Sequence, residues 1–192
     1  MAEDTTAATN AEDVAIRLEA AFAKVLAERM HDVPIVNKAL HVEAAGVRAV
    51  EQGWLCALVT PWSINLMLLP RSPDDVAAWR ALGAGATATH GFPAGRFGFI
   101  TGEEAGLGAY QMCSLFSPVL EFDSHTAAVL TARAALEALF DAALAPGDGD
   151  KQGTSGEPSS IATAPARAKS QPGVTRRGLL LGLGDQTRTR EQ

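Results

Sequence analysis

Four histidines, two cysteines and the adjacent carboxylates Glu103-Glu104 are the residues of this chain that acid/base, metal or nucleophilic chemistry would first draw on. His31, His41, His90 and His125 are scattered, with no HxxxH, HExxH, GxSxG or phosphate-loop spacing. Gly83-Ala84-Gly85 and the glycines between Gly102 and Gly108 fall short of any phosphate-binding pattern. Cys56 and Cys113 each lie inside an apolar run and neither belongs to a CxxC pair, so they read as buried reduced thiols. Glu103-Glu104 has the type needed for proton transfer, but adjacent carboxylates in a glycine-bearing stretch read first as a solvated turn. No catalytic residue, metal-ligand set or cofactor is expected, and the chain reads as a binding protein rather than an enzyme.

The elements that would position these residues follow from hydrophobic periodicity. From Ala11 to Met30, Val14, Leu18, Ala21, Phe22, Val25 and Leu26 recur at three- and four-residue steps, which predicts an amphipathic helix with Asn10 or Thr9 as its N-cap and a stop before Pro34. Leu40–Val50 and Trp54–Thr60 predict a β-hairpin around a glycine-containing loop, and Ile64–Leu69 a third strand. Pro73–Leu82 predicts a short helix that opens on Pro and ends before Gly83. Ala86–Phe92 and Arg96–Thr101 pair across Pro93-Ala94-Gly95, Leu107–Phe116 is extended, and Ser124–Leu144 is an alanine-rich helix. The expectation is one α+β domain, a mainly antiparallel sheet flanked by N-terminal and C-terminal amphipathic helices.

Two uncharged runs, Trp54–Pro70 and Ala105–Leu120, hold most of what the chain can bury. Pro61 and Pro118 interrupt them, and Asn65 and Gln111 carry polar groups costly in lipid, so neither run is a membrane span. Residues 146–175 are rich in Gly, Pro, Ser, Thr and Ala, too poor in apolar surface to offset ordering entropy. The expected organisation is a flexible N-terminus over 1–10, a domain over 11–144 and a disordered linker with a basic tail over 145–192. Residues 1–145 carry a net charge of −8 and residues 146–192 of +2, within a total of −6. An acidic body disfavours nucleic acid and suits a cationic peptide. Met1 is followed by acidic and polar residues rather than a basic and then an apolar region, which points to a cytoplasmic protein.

The segments VPIVNKALHVEAAG (33–46), WLCALVTPWSINLMLLP (54–70), FPAGRFGFI (92–100) and EEAGLGAYQMCSLFSPVLEF (103–122) together resemble the HybE/HupJ family of [NiFe]-hydrogenase assembly chaperones. The resemblance spans about Asp32 to Phe122 and extends less specifically over the flanking helices. It implies a cytoplasmic accessory protein for hydrogenase maturation. Its partners would be the small-subunit precursor with its twin-arginine signal peptide, and also the large subunit and other maturation factors. Such a protein delays export until assembly is complete. Some members carry a fused rubredoxin-like module with CxxC pairs; this sequence has none, so no iron or redox role carries over. Two other readings stand beside it: a scaffold subunit of a maturation complex that does not touch the signal peptide, and an enzyme of unknown class.

The residues expected to form an exposed contact surface are Trp62, Asn65, Tyr110, Met112 and Phe116, flanked by Glu103, Glu104 and Glu121. Trp54, Trp62, Phe97, Phe99 and Phe116 read as core before they read as site, and Asn65, between apolar neighbours, is expected to bond to a turn backbone. Thr175-Arg176-Arg177-Gly178-Leu179-Leu180-Leu181 is similar to a twin-arginine motif placed at the far end of the chain. Its Arg176, Arg177, Leu179 and Leu180 are either a small anchor on a basic tail or a mimic of the client's signal peptide.

Overall fold

A computed structural model describes residues 10–145 of the chain. In order they form α1 (Ala11–Val25), β1 (Glu43–Val50), β2 (Gly53–Val59), β3 (Ile64–Leu69), α2 (Pro73–Leu82), β4 (Thr87–Phe92), β5 (Gly95–Glu104), β6 (Gly108–Phe116) and α3 (His125–Ala138). The six strands make one antiparallel sheet in the order β1-β2-β3-β6-β5-β4, so the α+β class read from periodicity is the observed one. The expected tail, with Arg176, Arg177, Leu179 and Leu180, lies outside the described residues, as does most of the expected flexible N-terminus.

Local chemistry sets the helix starts. The Asn10 side chain accepts a hydrogen bond from the Asp13 amide at 2.8 Å, capping α1. Ser72 and Asp75 exchange side-chain and backbone hydrogen bonds in a capping box, with Pro73 in the first turn of α2. Two helix ends differ from the sequence expectation. The last turn of the first helix, Leu26–Met30, is a π-helix rather than α, and α3 stops at Ala138, with Ala142–Leu144 in a separate 3₁₀ turn.

The strands are covered unequally. Leu55, Ala57 and Val59 on β2, and Ile64, Leu66 and Leu68 on β3, face an inner core with Phe97, Phe99, Ala109 and the α3 residues Ala128, Ala132, Ala135 and Leu136. Cys56, Leu58, Met67 and Leu69 face the opposite side, where Val14, Leu18, Ala21 and Phe22 of α1 cover them. Residues 55–59 of β2 and all of β3 are therefore buried on both faces. That is why this antiparallel pair reads as continuous apolar sequence instead of alternating. The sheet curls around α3. Gln52, in the β1–β2 turn, donates to the Gly91 carbonyl of β4 at 3.2 Å although three strands separate β2 from β4. The Phe140 ring lies against both Phe92 of β4 and the Arg48 guanidinium of β1. On the outer side α1 packs over the β1–β2–β3 half, and the outward positions of β4 and β5 are largely exposed.

Candidate functional site

The outer face at β5–β6, beside α1, gathers four of the residues expected to make contacts. Tyr110 of β6 stands opposite Gly102 of β5, and its ring lies flat on that glycine: a Cβ at Gly102 would fall 2.6 Å from Cζ and 2.7 Å from Oη. Phe22 of α1 meets the same ring edge-on, with centroids 6.0 Å apart. Above it the π-turn brings Arg29 onto the Glu104 carboxylate in an ion pair. Burial pushes the Tyr110 phenol above its ordinary range; Glu104 adds to the shift and Arg29 opposes it. The Arg29 guanidinium is in turn held above its usual value, chiefly by its hydrogen bond to Glu104.

Met112 continues the surface, standing opposite Met67 on one side and Ile100 on the other. Ile100 is 41% exposed. Trp62 joins the same outer cluster from the β2–β3 turn. That turn is pinned by Thr60, whose Oγ1 donates to the Ser63 carbonyl at 2.9 Å and accepts the Ser63 amide at 3.0 Å. The Pro61 carbonyl accepts the Asn37 amide at 2.7 Å.

The remaining expected contacts are elsewhere. Asn65 is buried, 5% exposed, so it is no contact residue; its amide donates to Ser63 Oγ at 3.0 Å, a side chain rather than the turn backbone expected. Phe116 packs against the inner core and edge-on to Phe122, because the register shift between Ile64 and Asn65 turns the end of β6. Glu103 alternates with Glu104 along β5 and pairs with Arg80 of α2 at 3.4 Å. Glu121 is exposed in the loop before α3. Cys56 and Cys113 fall in cores on opposite faces of the sheet.

The histidines are less scattered in space than in sequence. His90 hydrogen-bonds the buried Gln111 at 2.6 Å, and His31 contacts its neighbour Asp32 at 2.7 Å. His41 and His125, however, stack with centroids 3.3 Å apart beside Glu43. Eighty-odd residues separate these partners, and the local HVE triplet alone gave no signal of the meeting.

The Hydrogenase-2 operon protein HybE of Escherichia coli K12 is 27% identical to this chain over 103 residues, 54% of this chain and 62% of that protein. Protein HoxT of Cupriavidus necator is 39% identical over 133 residues, 64% of this chain and 73% of its own length. The probable rubredoxin HupJ of Rhodobacter capsulatus is 39% identical over 125 residues, 65% of this chain. That match spans 44% of the HupJ protein, less than half of it. The solution structure of HybE from Escherichia coli superposes with a TM-score of 0.50 at 18% identity, covering 86% of this chain and 95% of that one, a likeness of fold. The family model for the [NiFe]-hydrogenase assembly chaperone HybE matches residues 13–182. With most of its length matched, the chain belongs to the HybE family of [NiFe]-hydrogenase assembly chaperones, a family of accessory proteins rather than enzymes.

Proposed function

We propose that the chain binds the precursor of a [NiFe]-hydrogenase small subunit in the cytoplasm, through its twin-arginine signal peptide, and holds it from export until assembly is complete. The family supplies the hydrogenase context. The observation that carries the finer reading is the outer-face site itself, where a carboxylate already holds an arginine guanidinium beside an aromatic ring and an apolar strip. Glu104 grips Arg29 next to Tyr110, while Met112, Ile100 and Trp62 continue the apolar surface. A client arginine taking the place of Arg29 keeps the charge-assisted hydrogen bond, and the apolar residues that follow it cover Met112 and Ile100. Because Glu103 and Glu104 are each already paired with an arginine of this chain, a client must compete for them, which favours guanidinium over ammonium.

The test is fluorescence anisotropy with the small-subunit precursor, with and without its signal peptide, against the wild-type chain, Glu104→Gln and Ile100→Asp. Binding that requires the signal peptide and weakens about tenfold in each variant, roughly 1.4 kcal/mol, supports the reading. Equal binding of the precursor lacking its signal peptide makes the protein a scaffold for the folded subunit. Wild-type affinity in both variants moves the site off this face.

A further inference from the structure

We propose that His41, Glu43 and His125 form a binding site for a divalent transition-metal ion of the zinc class at the junction of β1 and α3. One nitrogen of each imidazole and a carboxylate oxygen converge there, all within 4.8 Å of one another. His125 Nε2 lies 2.9 Å from Glu43 Oε2 and His41 Nε2 lies 4.0 Å from the same oxygen. In a tetrahedral site with bonds of about 2.1 Å, donor atoms stand about 3.4 Å apart. The two separations bracket that figure, so each nitrogen–carboxylate distance needs to change by only about half an ångström. Two imidazoles and a carboxylate are a three-ligand complement that leaves the fourth position to water.

The local structure explains why the donors meet. His41 and Glu43 flank Val42, which packs into the outer cluster, so in extended chain both turn to the other side. His125 is the first residue of α3, fixed by the Ser124 cap. Asn37 ties the segment before β1 to the loop before α3, donating to the carbonyls of Val119 at 3.0 Å and Phe122 at 2.8 Å. The imidazole centroids, 3.3 Å apart, are closer than the 4.5–7 Å usual for aromatic pairs. An ion would part the rings, since two imidazoles on one tetrahedral centre stand with their centroids about 5 Å apart.

Three features limit the affinity. The His125 Nδ1 accepts the His41 amide at 3.3 Å, so the metal-free ring carries its proton on Nε2 and donates it to Glu43. An ion displaces that proton; Nδ1 then takes up a proton from water and the long amide contact opens. His41, exposed, must also turn out of the stack to aim its lone pair. Finally, Arg133 approaches the second Glu43 oxygen at 4.0 Å and opposes a cation. A zinc site at the weak end of the structural range, about 10 kcal/mol or about 50 nM, loses on the order of 10- to 100-fold without a hydrogen-bond acceptor behind its histidine, which places the dissociation constant at about the micromolar range.

The experiment is calorimetric titration of the full chain, stripped with chelator, with zinc chloride, alongside magnesium chloride and the variants His41→Gln, Glu43→Gln and His125→Gln. His41 is exposed and its replacement leaves the fold intact, so its result counts even if a His125 variant unfolds. The expected result is one zinc site in the wild type, no magnesium binding, and at least a tenfold loss in His41→Gln and in every other variant that folds. Absence of zinc binding in the wild type up to about 100 µM, well above the micromolar range set by the missing acceptor, overturns the proposal. So does wild-type affinity in His41→Gln, or equal binding of magnesium.

Discussion

Replacing Gly102 by alanine tests the geometry of the outer-face site through one side chain, because Tyr110 is the only tyrosine of the chain. The new Cβ would lie 2.6 Å from Cζ and 2.7 Å from Cε2 of that ring, where ordinary contact needs about 3.5–4.0 Å, so the ring lifts by about 1 Å. Gly102 is not among the glycines with positive φ, so the cost is steric and falls on the ring. Loosening the edge contact with Phe22 forfeits about 0.5–1.5 kcal/mol. Re-exposing about 40 Å² of ring at 25 cal/mol per Å² adds about 1 kcal/mol. The better strand preference of alanine returns about 0.5–1 kcal/mol. The net loss is about 1 kcal/mol, or a fall in Tm of about 3–4 °C for a domain of this size.

The sharper readout is the ultraviolet titration of the phenol. In the wild type it ionises above the ordinary value of about 10, since burial, then Glu104, hold the proton on. In Gly102→Ala it falls back toward that value, and in Glu104→Gln it falls partway. Because the folded state binds this proton more tightly than the unfolded chain, the contribution to stability is complete below pH about 10. It is lost as pH rises through the folded value. A variant with unchanged Tm and an unchanged phenol titration would refute the packing of Tyr110 on Gly102, and with it the site as drawn.

Gly53→Ala should be far more damaging: the residue has φ +149°, and a Cβ would stand 2.4 Å from the Leu69 carbonyl oxygen, backbone that cannot step aside. A loss of more than about 2 kcal/mol in urea unfolding is expected. Burial, with Glu19 adding to it, pushes the Cys56 thiol up to about 12. Maleimide labelling at pH 8 should therefore spare Cys56 in the native protein and reach it on unfolding, which mass spectrometry of the labelled peptides would read. Truncation after Leu144, the last of the described residues packed against the inner core, should change Tm by no more than a few degrees, about the shift of 1 kcal/mol.

Elements whose sequence period matches their burial were legible. Helix α2 runs from Pro73 to Leu82 as its Pro start and Gly stop require, and Val14, Leu18, Ala21 and Phe22 mark the buried stripe of α1. Boundaries failed where the hydrogen-bond pattern changes without a change of composition: Leu26–Met30 suits an α-helix by residue type, yet the turn widens to π where Arg29 reaches Glu104. The site was legible in part. Trp62, Glu104, Tyr110 and Met112 share the outer face. Phe116 does not, because a register shift turns the end of β6, and Asn65, on the same parity as Met67, is buried and bonded to Ser63; neither outcome is visible in a run that is apolar throughout. The pairing of Arg29 with Glu104 and the meeting of His41, Glu43 and His125 join positions too distant in sequence for any local pattern to announce.

The two-sided burial of β2 and β3 bears on what a sequence signature can tell. A strand with one wet face tolerates exchange at every second position; from Leu55 to Val59 and from Ile64 to Leu69 neither strand offers such a position. A saturation scan through this hairpin would find nearly every substitution penalised by abundance in the cell, whether or not any client ever touches it. One of the stretches that carry the family resemblance is thus a record of how the molecule holds itself together. The surface that tells one client from another has to be sought in the less recognisable residues around it.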